Sequence, residues 1–291
     1  MVQKQQTEQK NPFPPQHQEE QPGKEYKMVP EPQFHPFYPG VDKFKDQVVL
    51  ISGGDSGIGR AVSLAFANEG AHIAIIYKDE DKDAIDTKQM VETYGVKCIL
   101  IPGDVGSKKF CQEAVEKTYK TFQRLDILIN NAAIQFVKFN FEDISDEQLE
   151  ETFRVNIFSQ FFLTQAALKY IPEKTGSIIN NASVNAYKGN SKLMDYTATK
   201  GAIVALTRSL SQSLVEKEIR VNAVAPGPIW TPLIPASFDE DQVKEFGKQA
   251  PMKRAGQPNE VAGAFTWLAS KEASYVTGQV IHPNGGYIVN S

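Results

Sequence analysis

Gln47 to Ile51 form a short Val/Leu/Ile-rich run, and Ser52-Gly53-Gly54-Asp55-Ser56-Gly57-Ile58-Gly59-Arg60 follows it with no spacer. A helical pattern through Ala61, Leu64, Ala65 and Phe66 comes next. A strand buried on both faces, a glycine turn and a helix start in immediate succession leave few folds open. The arrangement lets backbone N–H groups and a helix N-terminus meet a pyrophosphate, and glycine keeps side chains out of the turn. The spacing G-x-x-x-G-x-G differs from the common dinucleotide fingerprint G-x-G-x-x-G, and no Gly-Lys-Ser/Thr follows as in a P-loop. Taken alone, the stretch could be an ordinary strand-to-helix turn.

Strand and helix patterns continue to alternate. Strand readings fall at Val48 to Ser52, His72 to Tyr77, Lys97 to Ile101, Asp126 to Asn130, Ser177 to Asn181, Arg220 to Val224 and Gln279 to His282. One helix is expected to begin at a capping box, Ser145-Asp146-Glu147-Gln148, and the helical pattern Glu151 to Tyr170 contains Asn156. This alternation predicts an α/β fold, a doubly wound Rossmann-type parallel sheet with helices on both faces, in a single domain spanning 47–291. Its ligand belongs outside the carboxyl ends of the strands, where the glycine turn and Asn130-Asn131 would meet.

Residues 1–46 form a polar Pro/Gln-rich N-terminal extension that cannot build a core of its own. Its first two dozen residues are expected to be mobile. From Met28 to Tyr38, prolines and aromatics suit packing on the domain or a neighbouring subunit. The extension has neither the apolar stretch of a secretory signal nor the bias of a transit peptide, which leads to an expected cytoplasmic location. A net charge of −4 argues against a nucleic-acid footprint, and no apolar run reaches the length of a membrane span. Cys98 and Cys111 match no zinc motif, so no metal site is expected.

Tyr196-Thr197-Ala198-Thr199-Lys200 places a phenol and an ammonium on one helix face. A free tyrosine, with a pKa of about 10, trades protons poorly at neutral pH. At about 5 Å and an effective dielectric of about 20, the ammonium would favour the phenolate by about 3 kcal/mol. Such pairs also stabilise helices without any chemical role.

From Gln47 to the C-terminus the chain resembles the short-chain dehydrogenases/reductases. The family's glycine turn matches Gly53, Gly57 and Gly59, and its Asn-Asn-Ala-Gly motif matches Asn130-Asn131-Ala132-Ala133. A catalytic set matches Asn156, Ser183, Tyr196 and Lys200, and a Pro-Gly turn beside the nicotinamide matches Pro226-Gly227, with Thr231 beyond it. Ser52 and Ala133 depart from the family's usual threonine and glycine, and neither change removes a group that carries chemistry. The resemblance implies Tyr196 as acid/base, with Lys200 lowering its pKa and binding the nicotinamide ribose. It also implies Ser183 on the substrate oxygen, a residue that otherwise reads as a strand-end cap, and Asn156 holding a water that links Lys200 to solvent. The implied cofactor site comprises Gly53, Asp55, Ser56, Gly57, Ile58, Gly59, Tyr77, Asp104, Val105, Asn131, Ala132, Tyr196, Lys200, Pro226, Gly227, Ile229 and Thr231.

The expected activity is NAD(P)-dependent interconversion of an alcohol (polyol, sugar or small secondary alcohol) and its carbonyl compound. A nucleotide-binding interaction or sensor protein without turnover is the alternative, and the complete catalytic set favours the enzyme. Asp55 and the acids at 79–81 favour NAD, while Lys78 keeps NADP open. Gln135, Asn185, Tyr187 and Trp230 are candidate pocket residues, with Trp230 equally suited to packing. The family usually forms homotetramers through long helices. Here these read as Glu147 to Tyr170 and Met194 to Glu216, with Phe158, Phe161 and Phe162 on the first and Ile203, Leu206 and Leu210 on the second, more than one core stripe needs.

Overall fold

The computed structural model describes residues 13–289. Seven strands make one parallel sheet: β1 (Val48–Ser52), β2 (His72–Tyr77), β3 (Cys98–Pro102), β4 (Ile127–Asn130), β5 (Ser177–Asn181), β6 (Arg220–Val224) and β7 (Val280–Ile281), in the order β3-β2-β1-β4-β5-β6-β7. The expected bounds hold for four strands, and β3, β4 and β7 differ by a residue or two at their ends. The helices are α1 (Gly57–Asn68), α2 (Asp81–Glu92), α3 (Lys108–Phe122), α4 (Asp146–Phe153), α5 (Ser159–Ala167), α6 (Asn185–Lys188), α7 (Met194–Leu214), α8 (Glu240–Lys244) and α9 (Pro258–Ala269). No helix among the described residues is long and apolar enough to cross a membrane.

Successive strand residues serve opposite faces of the sheet. Val49, Ile51, Ile73, Ile75, Ile127 and Ile129 join one core with α1 and α9, while Val48, Leu50, Ala74, Ile76 and Leu128 join another with α3 and α5. Burial on both faces explains why the strands read as continuous apolar runs rather than alternating ones. The strand order reverses between β1 and β4, with Ser52 opposite Ile76 on one side and Asn130 on the other.

The expected Glu151 to Tyr170 helix is two helices joined by a π turn, Arg154–Phe158. The capping box is only half present. Ser145 Oγ accepts from Gln148 N, but the Gln148 amide donates instead to Asp195 Oδ2, which also accepts from Thr152 Oγ1. The start of α4 is thereby tied to the first turn of α7. Leu206 and Ile203 are buried in a core shared with β6, so α7 carries less spare apolar surface than its sequence suggested. Phe158 and Phe161 are each 43% exposed and do present an uncovered apolar face.

Residues 13–24, expected to be mobile, are packed on the domain; residues 1–12 lie outside the described residues. Phe13 stacks on Trp230 with ring centroids 3.8 Å apart, and Met28 joins them in a small core with Ile234, Val243 and Ala255. Trp230 is fully buried, and its indole donates to Pro30 O at 2.8 Å. Phe34 is buried, while Phe37 and Tyr38 remain exposed. Composition suggested a loose segment because it counts only the apolar surface the extension owns, whereas the domain supplies the other half of each contact.

The strongest anchor is polar. Arg60, buried in the first turn of α1, donates to Asp55 O at 3.0 Å, Thr87 Oγ1 at 2.7 Å and Asp83 O and Oδ1 at 3.1 Å each. Its remaining nitrogen pairs with Glu25 Oε1 at 2.6 Å, and its plane lies over the Phe34 ring. The other Glu25 oxygen accepts from Gly57 N, and Asp83 caps the turn Glu25–Lys27 by accepting from Glu25 N at 2.8 Å.

Burial pushes the Glu25 carboxyl up to about 7, against the pull of Arg60 and the Gly57 N–H. The folded protein thus holds that proton more tightly than the unfolded chain, where the ordinary value is 4.5. The associated stability is complete below the unfolded value and is lost as pH rises through about 7. Denaturant melts should therefore show the parent losing stability relative to Glu25→Gln across that window. A difference that stays flat with pH would show that this carboxyl titrates normally.

Candidate active site

The carboxyl ends of β1, β4 and β5 are clasped by two side chains. Ser52 Oγ accepts from the backbone N–H groups of Asn131 (3.0 Å) and Ala132 (3.2 Å). The Asn131 amide donates to Ser52 O (3.1 Å) and Gly53 O (2.8 Å) and accepts from Asn181 Nδ2 (2.8 Å). An amide serves here because it can donate and accept at once. The clasp holds the glycine turn open at the switch point of the sheet.

Within the turn, a Cβ on Gly59 would lie 1.7 Å from Gly53 O, so only glycine permits this close approach of helix and strand. Gly57 has φ of +53°, and a Cβ there would press on Thr231 at 3.1 Å. The turn and the segment after β6 therefore face each other across a cleft of about 600 Å³. The first-turn N–H of Ile58 has no intrahelical acceptor, and Ile58 lines the cleft. The backbone cradle, the glycine that a Cβ would abolish and the helix N-terminus together suit a dinucleotide's phosphates.

Gly53, Asp55, Ser56, Gly57 and Ile58 form one wall. Tyr77, Asp104 and Val105, at the ends of β2 and β3, form the far end, joined by Lys78 and Glu80. Asn131, Ala132, Ser183, Tyr196 and Lys200 form the floor and near end, and Pro226, Gly227, Ile229 and Thr231 form the opposite wall. Gly59 and Asn156 stand behind the lining. Burial pushes Asp55 up to about 6. Burial, reinforced by Asp79, raises Glu80 well above the usual carboxylate range. Burial, with the hydrogen bond to Asp81, raises Tyr77 to about 12.

At the near end, α7 carries Tyr196 and Lys200 one turn apart, with Nζ 5.3 Å from the phenol ring centroid. Lys200 Nζ donates to Asn181 O at 2.7 Å. Burial pushes Tyr196 up to about 12, with the Ser183 hydrogen bond pulling the other way, and pushes Lys200 down to about 7. This corrects the simple expectation that the ammonium lowers the phenol. Here burial is the largest cause of both shifts. Ser183 Oγ accepts from Asn185 N at 3.2 Å.

Asn156 is fully buried in the π turn, and its side chain is engaged. Oδ1 accepts from Ile134 N at 2.8 Å, and Nδ2 donates to Ile134 O at 2.9 Å and Thr199 Oγ1 at 3.2 Å. The amide thereby fixes the backbone after β4. Gln135, a candidate pocket residue, does line the cleft, and its backbone is paired to the Gln21 amide. Trp230 lies under the extension, away from the lining.

Sequence reasoning missed Pro22 and Gly23 of the extension, which line the cleft. It also missed Lys192 and Tyr287, and did not single out Lys188 or Gln249. A Pro-Gly pair in the extension signals a turn, but nothing local tells where that turn docks.

Residues 53–288 match the family model described as Enoyl-(Acyl carrier protein) reductase. The chain is 55% identical over 284 residues to NADPH-dependent aldehyde reductase 1, chloroplastic, of Arabidopsis thaliana, covering 95% of this chain and 98% of that protein. It is 53% identical over 285 residues to glucose and ribitol dehydrogenase of Daucus carota, covering 96% and 98%. A short-chain dehydrogenase from Burkholderia cenocepacia, solved in complex with NADP, superposes with a TM-score of 0.79 at 26% identity, covering 84% of this chain and 98% of that one. With a parallel sheet of this order, a glycine cradle at its switch point and relatives matched over nearly their whole length, the chain belongs to the short-chain dehydrogenase/reductase family of NAD(P)-dependent oxidoreductases.

Proposed function

We propose that this enzyme interconverts a hydroxylated alcohol, such as a polyol, a sugar or a small secondary alcohol, and its carbonyl compound, with Tyr196 as acid/base. The observation that carries the reading is the meeting of Tyr196, Ser183 and Lys200 at one end of the cleft beside Pro226-Gly227. Asn185, Lys188, Lys192 and Gln249 make that end polar, which suits a hydroxylated substrate better than a long acyl chain. The carrot and Arabidopsis relatives, a glucose and ribitol dehydrogenase and an aldehyde reductase, support the same class.

NAD(P), when bound, supplies or accepts the hydride. In reduction Tyr196 gives its phenolic proton to the substrate oxygen, and in oxidation it takes that proton back. The Ser183 hydroxyl orients the same oxygen and favours the charge that develops there. Lys200, brought to about 7 by burial, can exchange a proton close to working pH and so recharge the phenol. Asn156 acts indirectly, by fixing Ile134 and Thr199 beside this group.

Tyr196→Phe should reduce turnover at least about a thousandfold while leaving dinucleotide affinity within about twofold, because the phenol acts in the proton step. Steady-state assays with a panel of sugars, polyols and aldehydes, paired with dinucleotide titration, test this. Activity within a few-fold of the parent would remove Tyr196 from the role.

At the far end of the cleft, burial leaves Glu80 largely neutral near pH 7, while Asp55 keeps most of its charge and Lys78 is exposed. The electrostatic preference for NAD is therefore weaker than sequence suggested, and we expect both dinucleotides to bind, with Asp55 setting the ratio. Asp55→Asn should improve NADP binding relative to NAD by about fivefold, or about 1 kcal/mol. Calorimetric titrations showing no change in the ratio would remove Asp55 from that role.

The uncovered Phe158 and Phe161 on and beside α5 support assembly into a homotetramer through α4, α5 and α7. Light scattering at micromolar concentration should give about four times the chain mass of 32.3 kDa, and a monomer would refute it. The cytoplasm is the proposed location.

A further inference from the structure

The extension does more than coat the domain. Gln18 clasps it into a small closed loop: Lys24 N donates to Gln18 Oε1 at 2.7 Å, and Gln18 Nε2 donates to Lys24 O at 3.0 Å. The tip of that loop is Gln21-Pro22-Gly23. Gln21 exchanges hydrogen bonds with the backbone N–H and C=O of Gln135, beyond β4. Gly23 lies so close to the segment after β6 that a Cβ would stand 2.2 Å from Pro232 O. Pro22 and Gly23 both line the cleft. The tip therefore runs from one rim to the other, and the next residues lead to Glu25 at the start of α1.

Both sides of the loop are moored. Gln18 N donates to Pro235 O at 2.7 Å, and Phe13 stacks on Trp230, which fixes the loop to the segment after β6. Glu25 is held by Arg60 and Gly57 N, which fixes it to the glycine turn. Glu25 itself does not line the cleft, so it supports the turn from behind and leaves the inner side to a ligand. The tip contributes no charge and is held by two amide hydrogen bonds and a van der Waals contact. Those contacts are weak enough to open on the time scale of ligand exchange, while the moorings keep the loop in place.

We propose that Gln21-Pro22-Gly23 is a strap over the dinucleotide site that must lift for NAD(P) to enter or leave, with Glu25 as a positioning residue for the glycine turn. The strap encloses the bound dinucleotide and couples the turn to the loop around Pro232. It rests on the dinucleotide site alone and is independent of the substrate proposed above.

A strap makes a specific kinetic demand. Loosening it speeds both entry and exit, whereas damage to binding contacts speeds exit alone. Two full-length variants loosen it in different ways: Gln21→Ala removes the bonds to Gln135, and Gly23→Ala drives a methyl into Pro232 O. Stopped-flow fluorescence with NADH and with NADPH would give association and dissociation rates for each. In Gln21→Ala both rates should rise together by about fivefold or more, with Kd staying within about threefold. Gly23→Ala should behave alike, and if it fails to fold Gln21→Ala decides alone. Association within about twofold of the parent in Gln21→Ala, whatever the dissociation rate, overturns the proposal.

Discussion

The guanidinium of Arg60 is the point on which the glycine turn, α2 and the N-terminal extension all close. Its donors reach Asp55 O in the turn, Asp83 and Thr87 on α2 and Glu25 in the extension, and Phe34 covers its plane. A buried charge of this kind is tolerated only when its donors are spoken for, and leaving it without partners costs about 3–5 kcal/mol. That asymmetry explains why a Pro/Gln-rich segment with little apolar surface of its own is ordered here. Glu25 completes a buried hydrogen-bond set that the domain leaves open, and the aromatics at 13 and 34 add burial on either side.

The same economy of polar groups shapes the cleft. Ser52, Asn131 and Asn181 tie three strand ends together at the switch point through side-chain hydrogen bonds. Asn156 does likewise for the backbone after β4, and Asp195 for the start of α7. The reacting end is therefore held by side-chain amides and carboxylates rather than by packing alone. That rigidity allows Tyr196 and Lys200 to be almost fully desolvated, which brings the amine close to neutrality and makes the phenol dependent on its neighbours for any proton exchange.

The strap places a third element over this frame. The glycine turn and the loop after β6 lie far apart in sequence and meet where Gly57 approaches Thr231 and Pro232. Gln21-Pro22-Gly23 bridges the Gln135 backbone after β4 and the loop at Pro232, while Phe13 moors it to the loop after β6 and Glu25 moors it to the glycine turn. Dinucleotide exchange and the position of the substrate-side loop are then linked through one short piece of chain.

Much of this architecture was legible in the sequence because it is local. Doubly buried strands announce themselves as apolar runs, and the glycine positions follow from backbone approach, as at Gly59. The Tyr196/Lys200 pair follows from helical spacing. What the sequence could not settle depends on which distant groups share a buried volume. The sign of the net effect on Tyr196, the engagement of the Asn156 amide and the docking of Gln21 on the Gln135 backbone were all decided by tertiary neighbours. The extension is the clearest case. Its composition describes a chain unable to fold alone, while its order comes from Arg60 and Trp230, about 35 and 200 residues away, because desolvation and hydrogen-bond completion act through space and leave no periodic mark on the chain.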